Sequence, residues 1–469
     1  MGVKITFGTD GWRGLIADDF TFENVAAVAR ASAENFRKHR KIKNGVVIGY
    51  DSRFLSREFA EVTARVLGTA NIKVFLGSGI TSTPAVSLAV VKLKAAGGVV
   101  ITASHNPGRY NGFKLKGDFG GPAFPEQVEK VEAKLGPILK KKSAILAQAM
   151  SLAELVKRKK VILRDFEQLY VDDIKSKIDC HLITSSNIRI MYDAMHGAGQ
   201  GVMEKIVPGI STIRQEFNPS FGGINPEPLP QNLLPLIEAM GTGKYDIGIA
   251  TDGDADRIGA VDEQGNFVDS HRMYCILLKY LIEEKHATGE VAKSFSVTQM
   301  VDAMCLKYGL RLHETKVGFK YLCRLMIERD ILIAGEESGG LGVKGHLPER
   351  DGTYIGLLLC EIMAKRKKKL SELVQELFDE YGGHYFNRID LHLTMKEKDR
   401  IMAMYKKGVR TIAGYPVRAR QDKDGYKFFI DNGWVLVRAS GTEPLIRFYA
   451  EADTQEKVEK LLAVVTKTK

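Results

Sequence analysis

Three carboxylates stand at alternate positions within five residues, Asp252, Asp254 and Asp256, and Arg257 follows them directly. Alternate positions do not share a helix face, so an extended or tightly looped backbone must bring these side chains together. Crowded anions repel one another unless a cation neutralises them, and Mg2+ held by several carboxylates plus a phosphate oxygen is an ordinary coordination set. An EF-hand does not fit, because Arg257 stands at the sixth loop position, where glycine is needed. A second candidate is Ser104 in Thr102-Ala103-Ser104-His105-Asn106-Pro107. The nucleophile elbow of serine hydrolases needs glycine two residues to either side of the serine, and those positions are Thr102 and Asn106. A serine that carries a phosphoryl group suits the residues better, since nearby donors and an Asp-bound metal hold a dianion.

Two further loops carry ligand chemistry. Arg438-Ala439-Ser440-Gly441-Thr442-Glu443, with Arg447 in the next apolar stretch, offers guanidinium, hydroxyl and exposed amide donors suited to a phosphate. Glu336-Glu337-Ser338-Gly339-Gly340 offers carboxylate and hydroxyl groups for sugar hydroxyls, and His346, Arg350 and Asp351 lie just beyond. Neither a Walker A lysine pattern nor GxGxxG occurs, so nucleotide binding has no support.

The elements that must position these residues follow one repeated phrase, a short Val/Ile run leading straight into a polar loop. It occurs at 46–50, 99–102, 188–192, 247–250, 331–333 and 434–437. Such runs suit strands buried on both faces, while 22–37 and 56–68 carry helical periodicity. An α/β chain is expected, with ligands beyond the carboxyl ends of the strands. At 469 residues the chain exceeds the about 250 to 300 that one core usually supports, so several domains are expected. The breaks are read at 1–150, 151–257, 258–372 and 373–469. The 44% apolar and 27% charged composition excludes disordered and fibrous classes. Five dispersed cysteines without CxxC spacing point to thiols in a reducing compartment. No apolar run of about 18 residues and no secretory signal stand in the sequence, so a cytoplasmic protein without a membrane partner is expected. The net charge of +11 poses the question of an anionic partner. The runs 140–142, 157–160 and 365–369 supply much of that excess, but they lack interleaved aromatics, which disfavours a nucleic-acid-binding protein.

Taken together the loops resemble the α-D-phosphohexomutase superfamily over the whole chain. Phe7-Gly8-Thr9-Asp10-Gly11-Trp12-Arg13-Gly14 is similar to the family's opening signature, and the loops at 102–107, 252–257, 336–340 and 438–444 are similar to its phosphoserine, metal, sugar and phosphate loops. The resemblance implies three related α/β domains with mixed sheets and a C-terminal α+β domain of TATA-box-binding-protein-like fold, around a central cleft. It implies that Ser104 is the phosphoserine and that Asp252, Asp254 and Asp256 bind Mg2+ together with the Ser104 phosphate. Glu336 and Ser338 would hold sugar hydroxyls, and Arg438, Ser440, Gly441 and Thr442 the phosphate that is not transferred. Arg13, His105 and Lys114 match positions near the transferring phosphate, and Gly318 matches a loop touching the sugar.

The implied enzyme moves a phosphoryl group between a hexose and Ser104 through a hexose 1,6-bisphosphate, with glucose 1,6-bisphosphate as activator and Lys114 or His105 as base. Its partner is a phosphorylated hexose, and a monomer or homodimer is expected. The phosphoglucosamine mutase branch and one phosphomannomutase/phosphoglucomutase branch usually place His after the Ser-Gly of the sugar loop, with Gln or Met before the Ser, where this chain has Gly340 and Glu337; Glu336-Glu337-Ser338 with the stretch 346–352 is more similar to phosphoglucomutases. Glucose phosphates are therefore expected first and mannose phosphates second, with phosphoglucosamine mutase as the alternative and a sugar phosphatase using the same loops as a further one.

Overall fold

Every one of the six apolar runs forms a strand in a computed structural model, which describes residues 5–440 and 445–466. The helical stretches are Phe22–Phe36, capped by the Thr21 hydroxyl, and Ser56–Thr69. Strands such as Val46–Tyr50 and Ile247–Thr251 are buried along their whole length, because helices cover both faces of their sheets.

The first sheet has six strands in the order Trp12–Leu15, Tyr110–Lys116, Gly98–Ile101, Val46–Tyr50, Val74–Gly77 and Val161–Arg164. The second has five, Phe267–Val268, Ile258–Asp262, Ile247–Thr251, Ile190–Asp193 and Ser211–Ile213. The third has four, Leu312–Thr315, Glu290–Ser294, Ile331–Gly335 and Leu341–Val343. All three mix parallel and antiparallel pairs, as expected. Two of the expected domain breaks fall inside sheets. Val161–Arg164 lies beyond residue 150 yet pairs with Val74–Gly77, and Ile258–Asp262 lies beyond residue 257 yet pairs with Ile247–Thr251. A strand-to-loop phrase looks like a terminus in the sequence, but here the chain turns back and adds a strand to the same sheet.

That return is the shared device of the fold. The loops at 102–109, 252–257 and 336–340 each join a strand to the antiparallel neighbour that follows it. Gly433–Ala439 and Leu445–Ala452 are likewise antiparallel neighbours in the C-terminal sheet. Three chemically loaded loops are thus hairpin connections, held at both ends by ladder hydrogen bonds.

The C-terminal sheet, Tyr385–His392, Leu445–Ala452, Gly433–Ala439, Tyr426–Ile430 and Ala419–Gln421, is wholly antiparallel. One face carries Val435, Val437, Ile446, Phe448 and Ala450, which form a core with residues of Met395–Lys407 and Gln455–Thr466. On the other face Trp434, Leu436 and Tyr449 pack with Phe295 of the third domain. Lys427 is sealed at that junction, its ammonium 4.0 Å from the Trp434 ring centre and 2.9 Å from the Phe295 carbonyl, and burial lowers its pKa to about 7. The basic runs sit mostly exposed at helix ends, where Arg366 pairs with Glu284 and Lys368 with Glu376. All five cysteines are free thiols. Among the described residues no helix is long and apolar enough to cross a membrane.

Candidate active site

Ser104 follows Gly98–Ile101 with a φ of 54°, a left-handed conformation that few residues other than glycine adopt and that turns its hydroxyl out of the strand direction. Its amide donates to Thr102 Oγ1 at 2.8 Å, and Ser104 Oγ donates to Asp252 Oδ2 at 2.7 Å. Two loops from different sheets therefore meet at one hydrogen bond. Their closeness depends on Gly253, where a Cβ would lie 2.4 Å from the Ser104 carbonyl oxygen. Arg53 pins the loop from beneath: its guanidinium donates to the carbonyls of Ser104 at 2.5 Å, Asn106 at 2.6 Å, Pro107 at 2.9 Å and Tyr110 at 3.1 Å, while Asp51 neutralises it. Arg13 Nη1 donates to Asn106 Oδ1 at 2.6 Å, and the His105 ring lies beside Ser104, its Nδ1 3.5 Å from Oγ. Burial, with Arg257, Arg13, Arg447 and Arg388 nearby, holds the His105 pKa well below the usual range, so the ring is neutral at physiological pH.

Asp252, Asp254 and Asp256 are fully buried, and each offers an oxygen within 4.8 Å of the others. Lys114 Nζ, reaching in from Tyr110–Lys116, donates to Asp254 at 2.7 Å and Asp256 at 3.1 Å and lies 2.9 Å from Asp10. Burial disfavours the charge on Lys114, but the three carboxylates around the ammonium outweigh it and raise its pKa. Burial, added to by Asp254 and Asp256, pushes Asp252 well up, and burial raises Asp256 despite Arg350. Burial also opposes the charge of Asp254, but Lys114 and the Thr83 hydroxyl hold it below the carboxylate range. Asp254 Oδ1 and Asp256 Oδ1 are buried with no hydrogen-bond partner. Hard, converging oxygens with unused lone pairs are the donor set a Mg2+ ion takes, so the triad fits the metal expected of it.

Across the site Glu336 Oε1 accepts from the Gly318 amide at 2.8 Å, bringing together two residues 18 positions apart. Burial raises the Glu336 pKa to about 7. Glu337 stays ionised: burial opposes its charge, but the Ser296 hydroxyl donates to it at 2.5 Å. Ser338 is half-buried at the loop tip. Arg350 reaches Asp10 at 2.5 Å and Asp256 at 2.8 Å, so the first, second and third domains share one guanidinium.

His346 is not part of this arrangement, against expectation. Its ring stacks on Tyr354 at 4.2 Å, Nε2 lies 2.7 Å from Asp351 Oδ2 and Nδ1 lies 3.0 Å from Lys177 Nζ. Asp351 in turn accepts from the Tyr354 amide and the Tyr170 hydroxyl as N-cap of the buried helix Gly352–Arg366. His346 therefore secures a helix start, with no face left for a ligand.

From the C-terminal sheet, Arg438 Nε donates to Asp424 at 3.0 Å and Arg447 Nε to Asp390 at 3.3 Å. The Ser440 amide donates to the Leu445 carbonyl. Gly441 and Thr442 lie outside the described residues. Arg257 pairs with Glu227 at 3.3 Å. The sequence did not single out Arg53, Asp10, Thr83, Glu227 or Arg388 as site residues; only Asp10, inside the opening signature, and Arg53, in a strand-end loop, carried a usable signal.

Comparison with known proteins settles the family. Models of domains I, II and III and of the C-terminal domain of phosphoglucomutase/phosphomannomutase match residues 4–141, 168–265, 269–381 and 392–468. The chain belongs to the α-D-phosphohexomutase superfamily. It is 31% identical to a phosphoglucomutase/phosphomannomutase of Thermococcus kodakarensis, over 97% of this chain and 96% of that one. It is 32% identical to a phosphoglucosamine mutase of Carboxydothermus hydrogenoformans, over 98% and 99%. A crystal structure of a candidate phosphomannomutase from Thermus thermophilus superposes with a TM-score of 0.86 at 34% identity, covering 100% of this chain and 99% of that one. The protein is thus a phosphohexomutase, an intramolecular phosphotransferase of the isomerase class. Its four domains are the three α/β units and the C-terminal unit of that family.

Proposed function

We propose that this phosphohexomutase interconverts hexose 1-phosphate and hexose 6-phosphate, glucose in preference to mannose, with Ser104 as phosphoryl carrier. The observation that carries the reading is the 2.7 Å contact of Ser104 Oγ with Asp252 Oδ2, which sets the hydroxyl against the converging carboxylates, with Arg13 held on the same loop through Asn106. In the first half-reaction the bond from phosphorus to Ser104 Oγ breaks as one to a sugar hydroxyl oxygen forms, and the hydroxyl proton passes to a base; in the second the other phosphorus–sugar oxygen bond breaks as one to Ser104 Oγ forms, and the proton returns to the released sugar oxygen. His105, 3.5 Å from Ser104 Oγ, is placed to take the hydroxyl proton. The hexose 1,6-bisphosphate then turns end for end, and its other phosphoryl returns to Ser104. Bound Mg2+ on Asp252, Asp254 and Asp256 supplies positive charge against the transferring phosphoryl. Lys114 and Arg13 add fixed cations, Arg438, Ser440, Gly441, Thr442 and Arg447 grip the distal phosphate, and Glu336, Ser338 and Gly318 receive the sugar.

Gly340 sets the sugar loop apart from the branches that usually carry a histidine there: a Cβ would lie 2.4 Å from Arg350 Cδ, so Arg350 fills that space. Labelled glucose 1-phosphate, supplied with catalytic glucose 1,6-bisphosphate, is expected to leave label on the Ser104 peptide, and glucose 1-phosphate to turn over faster than the mannose and glucosamine 1-phosphates. Inorganic phosphate as main product would instead mark a phosphatase, and a clear win for glucosamine 1-phosphate would assign the phosphoglucosamine branch.

Glu336 gives the site a pH dependence. With a folded pKa of about 7 against an ordinary value near 4.5, its contribution to stability is fully present below about 4.5 and is lost as pH rises from there through about 7. Glu336→Gln, which keeps an acceptor for the Gly318 amide, is expected to melt higher than the parent at pH 8, by up to about 3 kcal/mol, and to match it at pH 4.5. Substrate affinity moves the other way, since an ionised Glu336 is the stronger acceptor for sugar hydroxyls: KM rises as pH falls below about 7, and this rise is absent in the Gln variant. Parallel melting and KM profiles across pH 4.5 to 9 check both signs.

A further inference from the structure

Side chains two apart on a strand share a face, and so do those of directly paired residues on neighbouring strands. In the C-terminal sheet Arg438 pairs with Arg447 and Arg447 with Asp390, while Tyr449 pairs with Arg388. These five side chains lie on one face, opposite the one buried by the two helices. Farther along the same face Trp434, Leu436 and Tyr449 dock on Phe295, which fixes the sheet against the third domain. The arginine end is left facing the other loops. Arg438 belongs to the segment that resembles the family's phosphate loop and Arg447 follows it in Leu445–Ala452, but Arg388 comes from Tyr385–His392, about 50 residues earlier, and no motif points to it.

Arg388 is poised, not spent. Its Nε lies 3.0 Å from Asp390 Oδ1, and Asp390 also holds Arg447, so one carboxylate sets two guanidiniums side by side. Its Nη2 is 3.9 Å from Glu227 Oε1, outside hydrogen-bond range, and the same oxygen is 3.3 Å from Arg257 Nη1. Neither Nη group has a hydrogen-bond acceptor among the described residues, although only 21% of the side chain is exposed. Beneath it the Tyr449 hydroxyl is buried with no partner among the described residues. Partly desolvated donors, aligned by a carboxylate and left without acceptors, form a built anion site.

We propose that Arg388 is a further ligand of the substrate's non-transferred phosphate, completing with Arg438 and Arg447 a three-guanidinium clamp, and that Asp390 is the positioning residue for two of the three. The inference rests on the hexose-phosphate reading above. It adds a residue outside the phosphate loop.

The test compares Arg388→Gln and Arg388→Lys with the parent in two assays, KM and kcat for glucose 1-phosphate and calorimetric titration with inorganic phosphate alone. Arg388→Gln is expected to raise KM and weaken phosphate binding, each about ten- to a hundredfold, with kcat within about threefold and an unchanged melting temperature. Arg388→Lys is expected to recover only part of the loss, because an ammonium cannot make the two-pronged contact. Unchanged KM and phosphate affinity in the Gln variant would overturn the proposal. So would a lower melting temperature and kcat at unaltered phosphate affinity, the pattern of a structural residue. If the parent turns over no hexose phosphate, the parent reading fails instead, and the phosphate titration still decides the role of Arg388.

Discussion

Ser104→Ala is expected to lower the interconversion of glucose 1- and 6-phosphate by about 10⁴-fold or more, because a methyl group cannot carry a phosphoryl and the proposed mechanism passes entirely through that oxygen. The variant is informative because it leaves the fold intact. Among the described residues Ser104 Oγ hydrogen-bonds only with Asp252 and the His105 ring, so the loss costs about 1 kcal/mol, and the backbone of the loop remains pinned by Arg53. Sugar phosphate should still bind, since the residues proposed to hold sugar and distal phosphate are untouched. A coupled assay for glucose 6-phosphate, with binding measured separately, checks both halves. Turnover within tenfold of the parent would remove Ser104 from the mechanism.

Arg53→Ala is the largest expected stability effect. The Arg53 and Asp51 side chains are both fully buried, and one guanidinium satisfies four backbone carbonyls of the 102–110 segment while its face rests 4.7 Å from the Phe221 ring of the second domain. Truncation strands those carbonyls and leaves Asp51 as an uncompensated buried charge, a loss of about 3–5 kcal/mol. Denaturant unfolding followed from the first domain is expected to show it as an earlier first transition. Arg53→Lys restores the charge but only part of the hydrogen bonding, and should fall between the two. Activity should fall with stability, because the carbonyls that Arg53 holds set the strained backbone of Ser104.

The contrast between these residues shows what is legible in a sequence. Ser104 and the Asp252, Asp254 and Asp256 triad are recognisable because their chemistry is local: three carboxylates in one turn, or a serine straight after a buried strand, carry their meaning within six residues. Arg53 acts on Ser104 from 51 positions away and Arg350 on Asp10 from 340, so their roles exist only once the sheets have brought them together. His346 illustrates the opposite error. Close to Arg350 in sequence, it reads as a ligand, yet the N-cap of Gly352–Arg366 needs Asp351, and Asp351 takes the imidazole as its partner.

Hydrophobic runs and their polar ends determined the strands, the α/β class and the loops that carry the reaction, because burial on both faces demands continuous apolar residues and ligand chemistry demands contiguous polar ones. Tertiary structure alone decided that each such loop turns back into its own sheet, that Lys114 is locked as a cation among three carboxylates, and that Arg388 joins Arg447 on one face of the C-terminal sheet. These are properties of distance and charge between residues far apart in the chain. Residue type sets what each group can do, and only the fold sets which partner it meets and in what protonation state.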